Sequence, residues 1–236
     1  MKISFARGAW QNEALVAANS YRWEDVPEFH QAEDCVFNQT TDRNTFGFEN
    51  VSLMVKTPFT GNYRVSTECA FESFGAPLIV IAHDLARDAR GLYRYREYYE
   101  VVIYEMGINV WRLTTDKNDT VTWKKMMNVE FPVAAGEKHT LTVDIKDDVL
   151  EIAADGKRMS VRLPDLPKEY YLGIDACENI NRFYSFSISP LEDPSKSVFL
   201  CSVCGHRHTG DAPPEHCPDC GVGPEKYFCD SKQINE

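Results

Sequence analysis

The sequence predicts an all-β protein in two parts: an antiparallel β-sandwich over residues 1–190 and a small cysteine-rich unit over 198–236, joined by a linker at 191–197. Three observations lead there. Apolar and polar residues alternate along many short runs, with no apolar stripe at the period of a helix. Turn-forming residues separate these runs at short intervals. Four cysteines near the C-terminus fall into two closely spaced pairs.

Taken in order, strands are expected at 51–57, 62–72, 78–82, 98–104, 108–114 and 120–129. Leu141, Val143 and Ile145 then alternate with Thr140, Thr142 and Asp144, and Asp147-Asp148 turns the chain into Val149–Ala154. Asp155-Gly156 closes a hairpin onto Lys157–Leu163, a two-residue turn whose twist matches that of its strands. Residues 170–177 and 182–188 add two more strands. Roughly ten strands in such a length suit two packed antiparallel sheets better than a small barrel.

The hairpin from Tyr98 to Leu113 is the best place in this part to look for chemistry. With a three-residue loop at Glu105-Met106-Gly107, Tyr104 would face Ile108, Val101 would face Trp111 and Glu100 would face Arg112. Tyr99, Val101, Ile103, Trp111 and Leu113, with Asn109, would then form the core side. Tyr98, Glu100, Tyr104 and Arg112 would share the other side with Val102, Ile108 and Val110, and form a candidate ligand-binding face of aromatic and charged groups. The plainer reading of Glu100 and Arg112 is a cross-strand ion pair. Glu97 and Glu100 differ by three positions, and Glu100 and Glu105 by five, so alternation puts each pair on opposite faces. No catalytic carboxylate pair or triad is identifiable in the sequence, although carboxylates from neighbouring strands could still meet. Trp10, Trp23 and Trp123 read as core anchors, and the stretch Ala82–Arg90 as a polar connection.

The formal net charge of −11 argues against nucleic acid and anionic membrane surfaces as partners. The N-terminal run is broken by Arg7 and by Gln11-Asn12-Glu13, unlike a secretory signal, and no apolar run is long enough to span a bilayer. A cytoplasmic location is expected, with Cys35, Cys69, Cys177 and Cys229 as free thiols. Pro190 and Pro194 punctuate a polar segment that reads as a short semi-rigid linker.

Cys201, Cys204, Cys217 and Cys220 stand as C-x2-C-x12-C-x2-C. Two residues between ligands let one tight turn aim both sulfurs at a point, and Gly205 and Gly221 give the backbone freedom at φ > 0 that lets amides face the sulfurs. Four soft thiolates select zinc or iron and leave no open position, which suits structure or electron transfer. Metal binding would supply folding free energy to so small a unit, with Phe199, Tyr227 and Phe228 packing around the site. His206, His208 and His216 read as surface or supporting groups, because the thiolates already complete the site. From residue 196 onward six acidic residues outnumber four basic ones, unlike a nucleic-acid-binding zinc ribbon.

The stretch from Val198 to Phe228 resembles the rubredoxin-like domain at the end of rubrerythrins, in its glycines after each pair, its Gly210, Pro213 and Pro214 run, Pro218, and Pro224 with Tyr227 and Phe228. The resemblance implies one iron ion held by Cys201, Cys204, Cys217 and Cys220, cycling between ferrous and ferric states, with zinc as the alternative. Residues 1–190 lack the Glu-x-x-His pairs of the full rubrerythrin, so peroxidase activity does not carry over. The strand pair from His139 to Val161, the segment Leu172–Ala176 and the run Arg182–Phe186 resemble the closing strands of concanavalin-like jelly rolls of the laminin-G and glycosidase-related type. That resemblance implies a sandwich whose concave sheet often receives saccharide.

The leading expectation is an iron-binding protein for one-electron transfer or redox sensing, with a redox partner protein, beside a jelly roll that binds carbohydrate. The alternatives are a non-catalytic carbohydrate-binding protein with a structural zinc or iron, and a sugar-active hydrolase or lyase of the concanavalin-like class.

Overall fold

A computed structural model describes residues 1–10, 13–38, 50–191 and 197–229. Most of the expected linker, residues 192–196, lies outside them. The chain divides into two compact units, Met1–Pro190 and Leu191–Glu236.

The larger unit is built, among the described residues, from a sheet of eight strands and a sheet of ten. The first runs in the order Lys157–Arg162, Val149–Ala154, His139–Lys146, Tyr63–Phe71, Asn181–Pro190, Val36–Phe37 and His30–Gln31, with Lys2–Ser4 also against Asn181–Pro190. The second runs Val121–Glu130, Gly107–Thr115, Glu97–Tyr104, Ala76–Ala82, Glu169–Cys177, Val51–Val55, Leu15–Ser20, Tyr93–Tyr95 and Ala86–Arg87, with Phe59–Thr60 against Glu169–Cys177. Each strand foreseen from alternation is present. Leu15–Ser20 and the short edge pieces are additions.

Alternation explains how the sheets pack. Val65, Leu141, Val143, Ile145, Phe183 and Phe186 of one sheet and Ile79, Ile81, Tyr99, Val101, Ile103 and Ile174 of the other form one buried cluster between them. Period-two side chains place these residues on the inner faces, and burying each removes about 1.5–3 kcal/mol worth of apolar surface from water. Asp155 (φ 47°) and Gly156 (φ 76°) both take the left-handed conformation, as the expected two-residue turn between Ala154 and Lys157 requires.

Ala76–Ala82 is buried along its whole length because it sits inside the larger sheet, with apolar clusters against both its faces. The outer cluster contains Leu78, Val80, Tyr95, Tyr98, Val102 and Leu113, all of the larger sheet. Four strands separate Tyr93–Tyr95 from Glu97–Tyr104 in sheet order. Yet the rings of Tyr95 and Tyr98 lie 4.7 Å apart, edge to face. The sheet therefore curls until strands far apart in its order face each other, and the face turned away from the sandwich core is concave.

The expected register of the Tyr98–Leu113 hairpin is corrected by one residue. Tyr104 pairs with Gly107, leaving Glu105 and Met106 as the turn, and Glu100 therefore pairs with Trp111 and Tyr99 with Arg112. Because side chains alternate, the slip inverts the second strand: Trp111 and Leu113 join Glu100 on the concave side, and Ile108, Val110 and Arg112 go to the other. Gly107 is held at φ 129°, where a Cβ would lie 2.0 Å from the Val129 carbonyl oxygen. Close contact of backbones, rather than loop freedom, is what requires glycine there.

In the smaller unit the strand Ser197–Cys201 lies between Arg207–Gly210 and Tyr227–Cys229, and one 3-10 turn spans Pro224–Lys226. Among its described residues, Val198, Cys201 and Cys217 are buried. Phe228, expected to pack around the sulfurs, is 52% exposed instead.

Gly107→Ala should lower unfolding stability by roughly 1–3 kcal/mol, measured by chemical denaturation, since it adds both backbone strain and a clash. A loss below a few tenths would show that the hairpin closes in another way.

Candidate functional site

Two sites emerge, one in each unit. In the smaller, the two knuckles repeat one hydrogen-bond pattern. The Gly205 amide donates to the Cys201 carbonyl at 2.9 Å and that of Gly221 to the Cys217 carbonyl at 2.8 Å. The Cys201 amide donates to the His206 carbonyl at 2.9 Å and that of Cys217 to the Val222 carbonyl at 2.8 Å. Gly205 and Gly221 share φ 76°, the left-handed conformation foreseen for them. Amides of Asp219 and Cys220 donate to the Cys217 sulfur, that of His206 to Cys204 and that of Val222 to Cys220.

All four sulfurs lie within 4.8 Å of one another. Across the knuckles, Cys201 and Cys220 are 3.7 Å apart and Cys204 and Cys217 3.4 Å. A tetrahedral thiolate site with metal–sulfur bonds of about 2.3 Å has edges of about 3.8 Å, so the cluster has the size that zinc or iron needs. His206 Nδ1 lies 2.9 Å from Asp219 Oδ2, tying one knuckle to the other without joining the sulfur set.

The second site lies on the concave face. Asp175, 2% exposed, accepts hydrogen bonds at Oδ2 from Asn50 Nδ2 at 2.7 Å, from Ser52 Oγ, and from the Tyr95 hydroxyl at 3.3 Å. Its Oδ1 is buried without a partner. Burial pushes the Asp175 carboxyl up to about 6, although those three donors pull the other way. Glu100 projects from the neighbouring part of the same face. Burial, reinforced by the charge of Asp175, pushes it up to about 8 against the pull of Arg22.

Aromatic and cationic groups flank the two acids. Trp111, opposite Glu100 on the adjoining strand, meets Trp123 edge to face at 6.4 Å. The Arg22 guanidinium carbon lies 4.1 Å from the Trp123 ring centre and 4.6 Å from that of Trp23, and Lys125 Nζ lies 4.6 Å from that of Trp111. Trp123, expected as a core anchor, is 50% exposed. A bulge explains its placement. Val110 pairs with Met127 but Trp111 with Lys125, so Met126 is an extra residue, and the slip sets Trp123 and Lys125 on the concave side while Met127 stays with the core.

Of the four residues expected to share a face, Tyr98, Glu100 and Tyr104 do so and Arg112 does not. Arg112 donates to Glu97 at 2.5 Å and to Asp165 at 2.5 Å on the opposite side, so the expected Glu100–Arg112 pair does not form. His83, 3.5 Å from Glu97, belongs to that second cluster. Asp84 does structural work in the Ala82–Arg90 connection, accepting the Arg96 amide at 2.9 Å. A cleft of about 510 Å³ on the eight-stranded sheet, lined by Arg64, Asp144, Glu151 and Arg158 among others, has Arg64 paired with Asp144 and Glu151 with Lys146, and has no aromatic wall.

Folded Glu100 holds its proton more tightly than the unfolded chain, so its contribution to stability is full below about pH 4.5 and fades as pH rises to about 8. Glu100→Gln stays neutral throughout, so its melting temperature should fall less than that of the unsubstituted protein between pH 5 and 9. Parallel curves would place the Glu100 carboxyl in water.

Residues 199–228 match the family model of the rubrerythrin rubredoxin-like domain. No curated protein matches the chain. Among solved structures, the chain resembles one from work on endo-acting O-glycanases that prominent members of the human gut microbiota express, with 12% identity, 81% of this chain and 99% of that chain covered, and a TM-score of 0.54. It also resembles a glycoside hydrolase family 16 endo-glucanase from Bacteroides ovatus, with 9% identity, 80% and 99% covered, and a TM-score of 0.52. At such identities the likeness establishes the fold. The chain is a jelly roll followed by a rubredoxin-like unit whose four cysteines suit a metal ion, iron or zinc.

Proposed function

We propose that the protein binds a saccharide on the concave face of its jelly roll and holds iron in its C-terminal unit for one-electron transfer or redox sensing. The observation that carries the first half is the meeting of Trp111 and Trp123 with Glu100 and Asp175 on a single curled face. Indole faces stack on sugar rings, and protonatable carboxyl groups hydrogen-bond their hydroxyls. The fold shared with an endo-glucanase favours that ligand class.

For the second half, four thiolates exclude substrate from the metal and amide donors offset their charge. Iron held there would change oxidation state by single electrons. Cys204 and Cys220 are exposed while Cys201 and Cys217 are buried, and exposed Val203 adjoins them. That edge is where a redox partner protein would approach. The reading places the protein in a reducing compartment, the cytoplasm, where thiolates stay available to metal.

The two carboxyl groups on one face also support a sugar-active enzyme as a second reading. Glu100, protonated at neutral pH, would act as proton donor to a leaving oxygen. Glu100→Gln should then cut turnover at least 100-fold with binding retained. Unchanged turnover would remove Glu100 from the chemistry and leave binding alone.

Protein purified in air after growth with ample iron should be red and should bleach with dithionite, and Cys217→Ser should lose the colour. A colourless protein with one equivalent of zinc would replace electron transfer with a structural role.

A further inference from the structure

Most arginines whose contacts define the fold are tied to carboxylates or carbonyls. Arg64 is paired with Asp144, Arg96 with Asp119, Arg112 with Glu97 and Asp165, Arg162 with Asp148, and Arg182 with Glu72. Buried Arg94 spends its donors on the carbonyls of Ser20, Trp23 and Glu24. Among the described residues, Arg22 and Lys125 have no carboxylate within ion-pair distance. They are held by indoles instead, Arg22 between Trp23 and Trp123 and Lys125 over Trp111.

Other surface cations among the described residues, such as Lys124 and Arg158, also lack an ion pair, so what marks Arg22 and Lys125 is that indoles hold both of them on one face of a chain with a formal net charge of −11. A guanidinium stacked between ring faces keeps its N–H donors in its own plane, pointing outward in the fork that fits a carboxylate. Stacking fixes the charge without neutralising it. Lys125 is exposed and adds a second positive charge beside Trp111. Burial favours the neutral form of Glu100, so an incoming anion does not meet a full pair of negative charges. Asp175 also keeps a buried oxygen without a partner, a polar group that the protein leaves unused.

We infer that the concave face selects acidic saccharides, with Arg22 and Lys125 engaging a uronate carboxylate while Trp111 and Trp123 carry the sugar ring. This deepens the saccharide reading above and rests on it.

The test is calorimetric titration of the full-length protein with galacturonate, glucuronate and mannuronate oligosaccharides, each paired with the same oligosaccharide after reduction of its carboxylates to alcohols. In at least one series the acidic form should bind tenfold or more tightly than its reduced partner, and added salt should narrow the gap. Lys125→Gln, at an exposed position, and Arg22→Gln should each shrink that ratio several-fold. Trp123→Ala should weaken both forms, and the acidic form more, because Arg22 loses one of the rings that hold it. Arg22→Lys keeps charge but loses the fork, and should give an intermediate ratio if Arg22→Gln perturbs folding. Equal binding of acidic and reduced forms, or a preference untouched in the Arg22→Gln/Lys125→Gln double variant, overturns the acidic class while leaving saccharide binding in place. Failure of every oligosaccharide to bind overturns both.

Discussion

The Asp175 carboxylate is the tie on which the concave face depends. One oxygen draws donors from two other strands, through Asn50 beside and Ser52 within Val51–Val55 and through Tyr95 at the end of Tyr93–Tyr95. A buried carboxyl group is costly unless it is hydrogen-bonded, and its donors bond further, Ser52 with the Tyr95 hydroxyl and Asn50 with Asn19, so that they form one web. Satisfaction of the group and curling of the sheet are therefore one event. Asn19 extends the same web, bonded to Asn50 and to the Asn50 carbonyl. The fold can hold ionisable groups in an apolar hollow because the hollow is stitched by their hydrogen bonds.

Much of this architecture was legible in the sequence, and the illegible parts have physical causes. The strands from His139 to Arg162 announced themselves by strict alternation and by Asp155-Gly156, because one face of each is buried and the turn chemistry is local. The cysteine pairs were legible for the same reason, since a knuckle is specified within five residues. The Tyr98–Leu113 register was not. Gly107 serves equally well as a loop residue or as the first residue of a strand, and one residue of slip reverses every side chain after it. Only the closeness of the Val129 carbonyl, a contact with a strand more than twenty residues away, decides the matter.

The concave face was harder still to read. Leu15–Ser20 ends in Asn19 and Ser20, polar residues that carry no strand signal of their own and are buried in the hydrogen-bond web. Glu169–Cys177 is buried over most of its length on both faces, so alternation could not mark Asp175 as facing a cavity. Trp123 read as a core residue because indoles are mostly buried. Its exposure comes from the Met126 bulge, a long-range pairing feature with no local signal.

That bulge divides the strand Val121–Glu130 into segments under different selection. After Met126, Met127 packs on the sandwich interior, whereas before it Trp123 and Lys125 lie on the concave side, and the turn at Asp116–Asp119 is tied by Arg96. Because the extra residue absorbs a change of register, the front segment could acquire substitutions, or even gain or lose a residue in its turn, without disturbing the interior. Ligand preference in related chains would then diverge at this corner while the framework stays constant, much as a replaceable tool tip on a fixed handle.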